Sequence, residues 1–217
     1  MEPGTVVSFC DRTGTMVRPW REAGYRAITV DLQSAATEFL PGLRHHVIAD
    51  VRAVGAEAIQ RKAITPIVAV FAFPPCTNLA VSGARWFKSK GLGGLIEGLE
   101  IVNACRELCE ALDAPWMLEN PVSTLATYWR KPDHVFHPWQ FTGHEPADNY
   151  TKKTCLWTGG DFVMPEPCAA ANLGQPDNRI HFASPGDDRA DFRSATPLGF
   201  ARAVFQANAP CQKAKAA

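Results

Sequence analysis

The sequence predicts an α/β protein built on a mostly parallel sheet with helices on both faces. Three observations carry this. Apolar, strand-like runs alternate with helically spaced segments through the first 120 residues. The runs end in short polar turns, two of which open on an acid (Asp31, Asp50). At 217 residues and 46% apolar composition, the chain has the size and core material of one large domain.

The elements follow in order. Thr5–Phe9 reads as a buried strand and Asp11–Thr15 as a polar turn. Met16 to Ala23 has helical spacing, with Gly24 as its stop. Arg26–Val30 is the second strand, ending in Asp31, and His46–Ala49 the third, ending in Asp50. Val54 to Lys62 is helical. Ile67 to Phe73 is the fourth strand, and Leu92 to Leu112 a long helix with apolar Leu95, Leu99, Val102, Leu108 and Leu112. Trp116–Leu118 is the fifth strand. Beyond Ser123 the pattern loosens. Thr151 to Trp157 reads as a further strand, and Met164 to Arg179 as loop. Thr196 reads as the N-cap of a last helix with Pro197 in its first position. One domain over 1–211 is expected, with a disordered tail over 212–217.

Acidic and basic residues balance at 22 each, which removes any global electrostatic case for nucleic-acid binding but leaves room for a local basic groove. The seven cysteines lack metal-ligand spacing. Cys105 and Cys109 read as small core residues. The six histidines show no ligand spacing either, so no metal site is expected. No apolar run approaches the roughly 20 residues that span a bilayer. With no signal peptide apparent, a reduced, cytoplasmic setting without membrane attachment is expected.

Two short motifs carry chemistry. Pro74-Pro75-Cys76 ends the fourth strand and presents a thiol at the sheet edge where open α/β sheets bind ligands. Glu119-Asn120-Pro121 delivers a carboxylate from the fifth strand in the same way. A nucleophile and an acid, each at a strand end, suit covalent catalysis. Asp31 lies about twenty residues after the first turn, where doubly wound folds bind a ribose diol.

In these residues the chain resembles the cytosine-5 methyltransferase family, in the compact form of phage-type members. The first turn with Arg18–Tyr25 is similar to that family's first motif and following helix, Phe73–Cys76 to its nucleophile motif and Glu119–Pro121 to its acid motif. Arg193–Ala201 is similar to its closing motif. The likeness spans nearly the entire chain in the right order. It implies a Rossmann-like S-adenosylmethionine-dependent methyltransferase fold, with S-adenosylhomocysteine as product. It assigns Cys76, Glu119 and Asn120 to catalysis. Cofactor contacts fall on Phe9, Asp11, Thr13, Gly14, Asp31, Leu32, Asp50, Val51, Pro74 and Thr196. Substrate contacts fall on Pro75, Thr77, Ser82, Arg85, Lys152 and Lys153. The chain departs from the family twice. Fewer than about forty residues separate Trp157 from Ser194, too few for an ordinary recognition domain, so the recognition region (about 158–193) is reduced or absent. Tyr150–Thr154 stands where the family has Gln-x-Arg-x-Arg, so a lysine point charge replaces a guanidinium fork.

The expected reaction is methyl transfer to C5 of cytosine in DNA through a Cys76–C6 adduct. Arg85, Lys88 and Lys90 are expected to close over phosphate as a lid. Alternatives remain. One is a free cytosine nucleotide such as deoxycytidylate as substrate; another is transfer of a modified group; a third is a non-catalytic cofactor-binding accessory protein. An oligomer or a separate recognition partner, in a bacterium or a phage-infected host, fits the compact chain.

Overall fold

A computed structural model describes residues 3–34, 44–182 and 193–210. A seven-stranded mixed sheet forms its centre: β1 (Thr5–Phe9), β2 (Arg26–Asp31), β3 (Arg44–Ile48), β4 (Ile67–Ala72), β5 (Trp116–Pro121), β6 (His134–Phe136) and β7 (Thr154–Gly159). Its order is β3-β2-β1-β4-β5-β7-β6. β1 to β5 run parallel, and β7 runs antiparallel between β5 and β6. This mostly parallel architecture is compatible with a Rossmann-like fold.

The helices are α1 (Arg18–Glu22), α2 (Ala56–Lys62), α3 (Phe87–Ala111), α4 (Leu125–Tyr128), α5 (Arg179–Phe182) and α6 (Leu198–Asn208). Strand side chains alternate between faces, and both faces are covered, so the central strands are continuous apolar runs. Val7, Val30, Val70 and Leu118 pack with Ile59, Val102, Cys105 and Cys109 on the α2–α3 side. Val6, Ala27, Phe71 and Met117 pack with Trp20, Phe200 and Val204 on the α1–α6 side. Cys105 and Cys109 are therefore core residues, as expected.

Element boundaries moved where pairing overrode local pattern. The expected strand at 151–157 begins at Thr154, where it pairs with Pro121. Thr151 instead donates its N–H to Asp177, which holds the preceding residues out of the sheet. β6 had no recognisable strand pattern at three residues. Thr196 is not the cap of the last helix. Pro197 takes that place with extended backbone (ψ 128°), and the Asp148 carboxylate accepts the Gly199 N–H at 2.7 Å. The segment expected to be a mobile lid is a 3₁₀ turn (Val81–Trp86) running into α3, which breaks at Gly91 (φ 63°). The tail 212–217 and residues 183–192 of the reduced recognition region lie outside the described residues. No helix among the described residues is long and apolar enough to cross a membrane.

Candidate active site

Strand order reverses direction between β1 and β4, because β2 and β3 extend one way and β4 and β5 the other. A crevice forms at such a switch point, outside the carboxyl ends of the strands. Every chemistry-bearing motif singled out in the sequence reaches this edge.

Beyond β1 the chain turns through two left-handed residues, Cys10 (φ 53°) and Gly14 (φ 68°). Asp11 organises that turn. Its carboxylate accepts from Ser8 Oγ at 2.7 Å, Thr13 Oγ1 at 3.2 Å and the Gly14 N–H at 2.7 Å. Asp11 is buried by these contacts, and Phe9 is a fully buried core residue whose carbonyl accepts from Phe73 N–H. At the end of β2, Asp31 is half-exposed, with one oxygen accepting from Gln33 N–H, and Leu32 beside it is exposed. Asp50 caps a short 3₁₀ turn and is gripped on both oxygens by the Arg52 guanidinium, which also reaches Glu100. The Arg52 hydrogen bonds hold the Asp50 carboxyl below its usual range. Val51 is core.

Beyond β4, Pro74 is buried, Pro75 is exposed and Cys76 is half-buried. Along β5 the faces alternate, so Glu119 shares the α6 side with Met117 while Asn120 shares the α3 side with Leu118. Asn120 is fully buried and donates from Nδ2 to the Pro74 carbonyl at 3.1 Å. Its Oδ1 is a buried acceptor with no hydrogen-bond partner among the described residues. Two backbone bonds continue the tie: Val81 N–H to the Val122 carbonyl (3.0 Å) and Thr124 N–H to the Leu79 carbonyl (3.1 Å). The loop that carries the thiol is thus stitched to the loop that follows the acid.

Lys152 enters from the residues before β7. Its Nζ lies 3.9 Å from Glu119 Oε1 and donates to the Ala195 carbonyl at 3.3 Å, with the lysine and glutamate side chains 11% and 15% exposed. Burial pushes the Glu119 carboxyl up from its ordinary value, and the Lys152 charge opposes that shift. Burial also raises the Cys76 thiol, and the Glu119 charge raises it further, against Lys152 and Arg193. Thiol, carboxyl and ammonium therefore sense one another electrostatically at a single place. A small cleft beside Glu119 and Lys152 is lined by Phe73, Glu119, Lys152, Thr196, Pro197 and Phe200, among others, and Cys76 is not among its lining residues.

The remaining expected substrate residues lie outside this centre. Thr77, Ser82 and Arg85 are exposed around the thiol loop, and Lys90 Nζ donates to the Thr77 carbonyl. Lys153 is exposed and its charge acts on His137 and Cys155, so of the two lysines only Lys152 reaches Glu119. Arg193 opens the stretch similar to the closing motif but is not among the expected site residues; its charge lowers the Cys76 thiol. Among the described residues no cluster of histidine, cysteine and acidic side chains could hold a metal.

An adenosine-bearing sulfonium cofactor fits part of this donor set. Asp31 offers a carboxylate at a strand end, and Phe73 and Thr196 line the cleft. Asp50 is already satisfied by Arg52, so its side chain fits a ligand less well than expected. No protein-family model matches the chain, and no curated protein matches it.

Proposed function

We propose that this protein transfers a methyl group from S-adenosylmethionine to C5 of cytosine in DNA, within a Rossmann-like methyltransferase fold. The observation that carries the reading is that the half-buried Cys76 sits on a loop stitched by Asn120 to the acid strand, where the charges of Glu119 and Lys152, 3.9 Å apart, both act on the thiol.

The chain's own residues account for the chemistry. The Cys76 thiolate adds to C6 of the ring, forming an S–C bond and moving the C5–C6 electron pair toward C5. Glu119, whose burial favours the protonated form, donates to N3 and steadies the charge that develops on the ring. Lys152 places a point charge beside the same carboxyl and moderates both neighbouring acids. Asn120 holds the Pro74 carbonyl and so fixes the thiol loop against the acid strand. Asp31 would accept from a ribose diol, and Phe73 and Thr196, which line the cleft, would border the cofactor. When bound, S-adenosylmethionine supplies an electrophilic methyl group and leaves as S-adenosylhomocysteine. Loss of the C5 proton to a base then expels Cys76 and restores the aromatic ring.

The test is mass spectrometry of nucleosides from DNA exposed to protein and cofactor. A gain of 5-methylcytosine, abolished by Cys76→Ser, is expected; no gain with any cytosine substrate would sink the reading. A second reading changes only the acceptor, to a free cytosine nucleotide. Zero net charge and the short stretch between Trp157 and Ser194 favour it. Deoxycytidylate run in parallel separates the two.

A further inference from the structure

The rim of the thiol loop carries a surface with no role in the chemistry above. The 3₁₀ turn Val81–Trp86 buries none of its side chains. It is nevertheless firmly held: Val81 N–H bonds to Val122, Gly83 N–H to Ala80, and Ser89 Oγ to the Trp86 carbonyl. Trp86 is 55% exposed, Val81 52% and Val122 42%. A firmly held turn that, with Val122 beside it, keeps a tryptophan and two valines in water lacks a folding rationale and marks a binding surface. The Arg85 guanidinium lies 5.1 Å over the Trp86 ring, which orders the indole for contact with another flat group.

Charge agrees with this. The chain as a whole is neutral, yet residues 77 to 96 contain Arg85, Lys88 and Lys90 and no acid. Lys90 lies one helical turn beyond Trp86 and reaches back to the carbonyl of Thr77, the residue after Cys76. The basic, aromatic rim is therefore tied directly to the thiol loop.

The geometry points to an unpaired nucleic-acid strand as the polymer this rim receives, with Trp86 as a stacking platform for a base next to the reacting cytosine. The inference rests on the proposed reading and deepens it by naming the form of the substrate. Single-strand surfaces combine a modest backbone-tracking charge with exposed aromatic rings on which bases stack. Duplex binding relies instead on a broad basic face for phosphates, and three local cations on a neutral protein fit the first pattern. An unpaired target also avoids the cost of extracting a base from a helix.

Fluorescence anisotropy with full-length protein and no cofactor tests this, since no methyl transfer is needed. The probes are a labelled mixed-sequence deoxyoligonucleotide of about twelve residues, within the span one such site covers, and its duplex. The single strand is expected to bind roughly tenfold more tightly than the duplex, and Trp86→Ala to weaken it by about tenfold. Trp86→Phe, which keeps a flat ring, is expected to restore most of that loss. Methylation of deoxycytidylate is expected to be unaffected by Trp86→Ala. Equal binding of strand and duplex, or unchanged strand affinity in a folded Trp86→Ala protein, overturns the inference. If binding behaves as stated but no cytosine is methylated, the enzymatic reading fails alone. If single strands are methylated equally well by wild type and Trp86→Ala, the platform fails alone.

Discussion

At Cys76 the local field has a readable sign. The Glu119 charge raises the thiol and the Lys152 charge lowers it, and only the thiolate reacts with an alkylating agent. Glu119→Gln is therefore expected to move the pH midpoint of Cys76 alkylation by iodoacetamide downward, and Lys152→Gln to move it upward. Methyl transfer needs Cys76 ionised and Glu119 protonated, so its rate profile should be bell-shaped, with one limb set by each group. Lys152 lowers both groups, so Lys152→Gln should carry both limbs to higher pH. Asn120→Ala removes the bond to Pro74 and lets the thiol loop shift; a loss in kcat on the order of 10²-fold is expected for such misplacement. Steady-state kinetics beside a melting curve separates that effect from unfolding. Cys76, Glu119 and Asn120 stood out in the sequence because each follows an apolar run that reads as a strand. Arg193 did not, because nothing local to it announces a partner more than a hundred positions away. Asp50 was legible as a strand-end acid, but its pairing with Arg52 was not, since opposite charges two positions apart on a turn are common on any surface.

Among the elements, α6 shows how distant residues set a boundary. Asp148 accepts the Gly199 N–H, and a Cβ at Gly199 would meet the Phe141 carbonyl at 2.6 Å. Asp148→Ala is expected to destabilise the fold by roughly 1–2 kcal/mol through the lost cap. Gly199→Ala should also destabilise it, by pushing α6 off the 3₁₀ turn that contains Phe141 (Pro138–Phe141). Thermal unfolding followed by circular dichroism reads both. The sequence suggested Thr196 for the cap because a threonine before proline and an apolar run is a common helix start. The true partner comes from a segment some fifty positions earlier, which local pattern cannot report. β7 teaches the same lesson. Its start is fixed by the register of β5, and Lys152 owes its place beside Glu119 to lying just outside that register.

For the molecule as a whole, the parallel half was legible because strands buried on both faces leave uninterrupted apolar runs. The antiparallel edge was not, since β6 has three residues and gains its identity only by pairing. Both faces of the sheet have their own core, and Trp20 centres one of them, against Tyr25, Phe71 and Phe205. Trp20→Ala is expected to cost roughly 3–5 kcal/mol in chemical denaturation. The bonds that join Pro74, Leu79 and Val81 to Asn120, Val122 and Thr124 have a consequence for inheritance. Neither loop can be transplanted alone, because a foreign partner would leave the buried amide and the paired carbonyls mismatched. Recombination or chimera design that moves one must carry the other, so the two segments form one cassette although nearly forty residues of chain lie between them.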